Sequence, residues 1–312
     1  MWILSRYADV SAALRDSRLS AGVDDASWHA RFREAAREAF TGPKLAEWQS
    51  GMQAAASGVF DCVGGDDSID VIAAIAKPYA REVAARVTGI ASSHVGSLDQ
   101  LASHIFAGAS APFDEKLQVR SRTATRELSA EFQGEFAGLG IQAWVALTQS
   151  LPAFLGNVWY ALLSRGRAGE IRCTPSEMDE LLRYAGPSKA QLRRVVQKVE
   201  IGGGQFESGE RVALLLASAN RDPEVFTEPE KLDLSRTGVR HLAFGAGDHA
   251  CMGAALIRMA AAILTREFLA RFAGYRLLSH DTKRAFALRC FESLHLSAKS
   301  DDRGQCRVRA QP

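Results

Sequence analysis

The chain has little excess charge of either sign: 38 basic and 36 acidic residues leave a formal charge of +2 over 312 residues. No broad field is available to gather a polyanion, and no basic run is interleaved with aromatics, so nucleic acid is excluded as a partner. The longest charge-free run, residues 136–164, is broken by glutamines, serines, an asparagine and a proline, and residues 1–6 lack the apolar length of a leader. The expectation is a cytoplasmic protein without a membrane partner. Cysteines are few, odd in number and scattered: Cys62, Cys173, Cys251, Cys290 and Cys306. That pattern argues against a disulfide framework, and all but Cys251 are read as structural. Gly245-Ala246-Gly247 lacks the lysine and later glycine of a phosphate loop.

A hydrophobic fraction of 47% suffices for a substantial core. Alanine- and leucine-rich periodic segments dominate between short glycine and proline breaks, which predicts helices over 8–16, 26–40, 43–63, 75–87, 98–106, 115–136, 141–164, 175–184 and 253–272. Strands are expected to be short. Residues 194–200 and 211–215 read as a hairpin about Gly202-Gly203-Gly204, and 275–278 with 284–296 as a terminal β unit. The fold class is therefore mainly α with small β-sheets, a single domain over 1–296, and a polar tail at 297–312 that frays.

The chemistry concentrates in Phe244-Gly245-Ala246-Gly247-Asp248-His249-Ala250-Cys251-Met252-Gly253. A glycine-rich loop presents one cysteine just before a helix-forming run. A thiolate there is favoured by backbone N–H groups and by the positive end of the helix that follows. Gly247 opens backbone angles closed to other residues, Gly253 lets a flat macrocycle approach the helix start, and Phe244 shields the sulfur. The frame reads as a haem-thiolate loop with Cys251 as the axial ligand; the alternative is a structural turn with a buried free cysteine.

These residues, and the order of the motifs around them, resemble the cytochrome P450 family over most of the chain. Glu180-Leu181-Leu182-Arg183 matches its Glu-x-x-Arg helix, where i,i+3 spacing permits a bidentate pair. The strand-like segment after Pro187 and then Ala219-Asn220-Arg221-Asp222-Pro223 repeat the family's order. His29 and Arg33, spaced i,i+4, with Arg193 and His249, fall where the family holds the two haem carboxylates. The resemblance thus implies a truncated cytochrome P450 fold enclosing haem b (iron protoporphyrin IX). It also implies a small organic substrate of secondary-metabolite type and electrons from a ferredoxin or flavodoxin, with self-association left open. Arg31, Arg37, Arg240 and Arg258 offer a basic face for such an acidic donor.

Departures from the family pattern matter equally. The chain is short, and residues 19–27 and 133–141 leave little material for a roof over the distal cavity. Where the family has a small residue, a glycine, a variable position, an acid and an alcohol on the helix crossing the haem, this chain has Ala146-Leu147-Thr148-Gln149-Ser150. Leu147 fills the groove and Gln149 cannot carry a proton as a carboxylate does, while Ser150 keeps the alcohol. Pro152 is expected to disturb the helix nearby. The family's arginine beside the Glu180–Arg183 pair is missing; Lys231 offers charge without the planar fork, and Arg236 is the alternative. Pocket positions by resemblance are Val145, Ala146, Gln149, Ser188, Lys189, Ala190, Phe291 and Glu292, with Lys189 read as an exposed lysine without a partner. The leading reading is a haem-thiolate monooxygenase or oxidase. A peroxide-dependent or redox-neutral haem-thiolate enzyme, or a non-catalytic partner-binding member, is the alternative.

Overall fold

The computed structural model describes residues 1–22, 26–40, 42–61, 68–90, 95–132, 137–283 and 285–297, with only the backbone at 26–32, 95 and 137. Helices carry the fold: α1 (Tyr7–Arg15), α2 (Ala26–Ala39), α3 (Gly42–Asp61), α4 (Lys77–Thr88), α5 (Val95–Ser110) and α6 (Glu115–Ser129) come first. They are followed by α7 (Ala137–Val145), α8 (Leu151–Ser164), α9 (Pro175–Ala185), the short α10 (Leu216–Ala219) and α11 (Ala254–Phe272). Helix α8 is buried on nearly every side, from Leu151 to Val158 without a break. A helix with so little polar surface belongs in the interior. It packs there against α11, where Trp159 stacks on Phe268 at 4.0 Å between ring centroids.

Strands are short, as expected. β1 (Trp2–Leu4), β2 (Leu19–Ser20), β4 (Gln191–Val195) and β7 (Arg211–Leu214) form a sheet in the order β1-β7-β4-β2. β3 (Ile69–Asp70), β8 (Arg276–Thr282) and β9 (Phe291–Ser297) form a second, ordered β3-β9-β8. The hairpin expected between 194–200 and 211–215 is divided in two. The glycine turn closes a separate pair, β5 (Val199–Ile201) with β6 (Gly204–Phe206), while β4 and β7 pair outside it. The reason is local: Gly202 and Gly203 take φ of 62° and 77°, the two-residue turn that joins immediate neighbours.

Two helical expectations also change. Helix α6 stops at Ser129 instead of reaching 136, because Ala130 N–H turns back to the carbonyls of Glu127 and Leu128. The run predicted over 141–164 begins at Ala137 and contains a wide π turn at Ala146–Ser150 between α7 and α8. In it Leu151 N–H donates to Ala146 C=O, one residue beyond the usual α partner. Pro152, lacking an N–H, follows at once, so its effect is absorbed as a widened turn. Thr148 Oγ1 donates to Trp144 C=O within the same stretch.

Candidate active site

Helix α9 starts on a capping box in which Thr174 Oγ1 accepts from Glu177 N–H and Glu177 accepts from Thr174 N–H at 2.7 Å, with Pro175 at its first position. This start fixes Glu180 and Arg183 one turn later, both fully buried. Arg183 Nε and Nη2 donate to the two Glu180 oxygens at 2.7 and 2.8 Å, and its remaining N–H groups reach the carbonyls of Asn220, Pro229 and Lys231. Arg236 supplies the third charge, its Nε 3.2 Å from Glu180 Oε2 although off the hydrogen-bond direction. Lys231 contributes only its carbonyl here; its ammonium pairs with Glu228. The planar fork at 236 reaches the buried carboxylate, and the lysine stays in water.

This knot holds the loop before α11. Asn220 Oδ1 accepts Leu242 N–H at 2.7 Å, and Cys251 N–H donates to Phe244 C=O at 2.8 Å, closing the loop on itself. Gly245 and Gly247 have φ of 69° and 68°, and a Cβ on Gly247 would lie 2.7 Å from Leu14 O and 2.8 Å from Arg15 Cα. Both neighbours are backbone and cannot swing aside. Gly247→Ala should therefore cost at least about 1–3 kcal/mol in unfolding free energy, read as a lower urea midpoint.

Cys251 stands three residues before α11, and its side chain opens onto a cavity while protein surrounds it elsewhere. Burial pushes the thiol above its ordinary pKa, opposed by the Gly253 N–H bond and the charge of Arg258. A bound metal ion reverses that balance, since a coordinating thiol gives up its proton. Across the cavity lie Leu139, Gln142, Ala143, Ala146 and Leu147 of α7 and the π turn; Arg33, Phe40, Asp248, His249, Gly253 and Leu256 complete much of the wall. The cavity measures about 220 Å³ and opens to solvent.

The residues at the cavity suit a haem. Arg33 reaches it from α2 while donating to Asp248 C=O, and His249 lines it. A Cβ on Gly253 would meet nothing, so that side is open to a flat ring. Arg193, on β4 beside the loop but outside the cavity lining, is 5% exposed and its Nε has no partner. Its other nitrogens reach Leu192 C=O and Gln191 Oε1, and burial lowers its pKa. A buried cation with an idle donor and no carboxylate suits an anionic group supplied from outside the chain. His29 lies one turn before Arg33 on α2, with its side chain outside the described residues.

The other sequence candidates separate into three places. Leu147, 1% exposed, and Ala146 face the cavity. Gln149 turns to α5, where its Nε2 donates to Asp99 Oδ1 at 2.9 Å while Arg81 holds the same carboxylate at 2.5 Å. Ser150 is half-buried and outside the cavity lining. Gln149→Glu would therefore set two carboxylates against each other and raise the pKa of one. A raised carboxyl pKa lowers stability progressively from the ordinary carboxyl range up to the raised value, so the loss, about 1–3 kcal/mol at neutral pH, should shrink as pH falls. Urea midpoints at acid and neutral pH test this.

Of the pocket positions, Val145 packs with Phe106, Ala153, Cys290 and Leu288. Ser188 bridges Leu288, Ala190 is buried, and Phe291 meets Tyr160 at 5.0 Å with Glu292 exposed beside it. Lys189 is not the partnerless exposed residue expected: half-buried, it donates to Ala285 C=O, and burial lowers its pKa. The segment beside it, which carries Ala287, is held to α5 through Ser110 C=O. Arg37 and Arg240 are exposed, the Arg31 side chain lies outside the described residues, and Arg258 is engaged by Asp179. Sequence reasoning missed Leu139, Gln142 and Ala143, although their i, i+3, i+4 relation to Ala146 and Leu147 places them on one helix face.

Similarity to known proteins runs over most of the chain. A family model described as Cytochrome P450 matches residues 170–278. The nocardicin C N-oxygenase of Nocardia uniformis subsp. tsuyamanensis is 28% identical, covering 88% of this chain and 83% of that protein. A biotin biosynthesis cytochrome P450 of Bacillus subtilis (strain 168) is 27% identical over 93% of this chain and 82% of its own. Among solved structures, P450BioI in complex with an acyl carrier protein ligated to hexadec-9Z-enoic acid superposes with a TM-score of 0.88 at 24% identity. That likeness covers 96% of this chain and 92% of the other.

Proposed function

The chain belongs to the cytochrome P450 family, and on that premise we propose a haem-thiolate monooxygenase in which Cys251 Sγ would bind the iron of haem b. The observation that carries the proposal is the Cys251 side chain opening, ahead of α11, onto a cavity roofed by α7 and the π turn. Arg33, Arg193, His249 and, by its place on α2, His29 are the carboxylate partners. When bound, the haem supplies one-electron and oxygen chemistry at an iron made electron-rich by the thiolate. Ala146 and Leu147, in the cavity lining, would exclude water from a bound haem, and Leu147 would narrow the space left for substrate. Ser150 stands outside the cavity lining, so no proton-ordering role is assigned to it. Gln149 holds no titrating proton and is fastened to Asp99, so the helix itself contributes no carboxylate.

The substrate class is a small organic molecule of secondary-metabolite type, in keeping with relatives named for oxidising nocardicin C and 6-deoxyerythronolide B. A ferredoxin or flavodoxin is the proposed donor, with Arg37 and Arg240 as exposed cations for docking. Gln149 and Leu147 favour a second reading, a peroxide-driven reaction of the same haem-thiolate centre. The absorption spectrum of reduced, carbon monoxide-bound protein tests the thiolate, and a colourless protein that refuses haemin ends the proposal. Parallel assays with a reductase system and with hydrogen peroxide then separate the two readings.

A further inference from the structure

A second cavity shares a wall with the one at Cys251. It measures about 480 Å³, against about 220 Å³ for the first, and none of the site candidates read from the sequence lines it. Four elements form its walls: the end of α2, the first turns of α3, the last turn of α4, and α7. Phe40 N–H donates to Ala36 C=O at 2.9 Å, which carries the last turn of α2 forward and brings the Phe40 ring to the cavity. Phe40, Leu139 and Ala143 line both spaces, so these side chains form the partition between them.

The lining states what the second cavity can hold. Phe40 and Trp48 meet edge to face with ring centres 6.0 Å apart, and with Val87 they rest against the main core, which fixes this aromatic corner in place. Such a corner offers a face and an edge to a ring or an alkyl chain. The polar groups are few and engaged: Thr88 Oγ1 donates to Ala84 C=O within α4, and Lys44 pairs with Glu47 at 2.8 Å while its Nζ lies 5.8 Å from the centre of the Trp48 ring. Glu38 and Glu47 set against Lys44 leave the lining with one surplus negative charge. An anion is therefore disfavoured, and a cation finds both carboxylates and a π face. The volume falls in the range of small-molecule sites, roughly 300–1,000 Å³.

We propose that this cavity is a second binding site, for an organic molecule with an apolar ring or alkyl body and no negative charge, and that Phe40 couples it to the haem cavity. The site follows from its own lining, whereas the coupling rests on the haem-thiolate reading above. A group seated against Phe40 from the haem side restricts its ring, and so holds the aromatic corner in the shape that a ligand in the second cavity meets. Ordering one such side chain in advance is worth about threefold in affinity. Linkage makes the factor reciprocal, so a ligand in the second cavity should tighten haem binding equally.

The experiment is a calorimetric titration of haem-free protein with phenylhexylamine, phenylhexanol and phenylhexanoate, three probes with one apolar body and different charge. The amine and the alcohol should bind at a single site, and the carboxylate about threefold more weakly than the alcohol. Trp48→Ala, which removes one side of the corner, and Ala39→Phe, which fills the cavity from a residue lining it alone, should each weaken the alcohol about tenfold. Should one variant fail to fold by urea unfolding, the other still decides. Absence of binding, binding that survives these substitutions unchanged, or a preference for the carboxylate overturns the site. Haem-loaded protein should then bind the alcohol about threefold more tightly, and Phe40→Ala should abolish that gain. Loaded protein with unaltered affinity defeats the coupling; protein that refuses haem defeats the haem-thiolate reading and leaves the haem-free titration to judge the site by itself.

Discussion

Serine in place of Cys251 should abolish the thiolate-type Soret band of the reduced, carbon monoxide-bound protein and leave the haem-free fold nearly unchanged. The two halves of that expectation have different causes. Cys251 holds its place through its backbone, by the N–H bond to Phe244 C=O, and its side chain opens onto the cavity instead of filling a core. Removing the sulfur therefore leaves no void, and the haem-free protein should unfold within roughly 0.5 kcal/mol of the native one. Haem affinity is another matter. Residues that merely support a metal ligand are worth about 10–100-fold, so losing the ligand itself should cost more than about 100-fold. Haem titration by absorbance, with urea unfolding of the haem-free protein, measures both. Equal haem affinity in the two proteins would remove Cys251 from the site.

The cysteine loop was legible because its constraints are local. Gly247 and Cys251 are four residues apart, and the demand for positive φ at Gly247 is written into the residue type. The helices were legible for the same reason, since their periodicity needs no partner. Legibility ends where the partner is remote. Gln149 reads as a lost acid in the sequence, yet it donates to Asp99, 50 residues away on α5. Lys231 and Arg236 are both candidates on paper, the lysine without the planar fork; which one reaches Glu180 depends on how the segment after Pro229 wraps around α9. That Arg258 meets Asp179 and lies on the Phe244 ring is invisible in the sequence, because three elements must be brought together first.

Arg183→Met should be the most destabilising single substitution in the chain, at about 3–5 kcal/mol. The substitution leaves the Glu180 carboxylate fully buried, with Arg236 at 3.2 Å and the Asp233 N–H at 3.0 Å as its remaining partners. It also strands the carbonyls of Asn220, Pro229 and Lys231, which together tie the segment after α10 to α9. Because the loop is anchored through Asn220 Oδ1 to Leu242, the damage travels to the cysteine. Whole domains are stable by only about 5–15 kcal/mol, so such a loss should appear as protein that is largely unfolded or unable to retain haem. The double variant Glu180→Leu/Arg183→Met separates the charge from the hydrogen bonds. Removing both ions eliminates the uncompensated carboxylate, so the pair should cost less than the sum of the single substitutions, by about 1–3 kcal/mol of coupling in urea unfolding. Strict additivity would mean that Arg183 acts through its three carbonyl contacts and that its pairing with Glu180 contributes nothing.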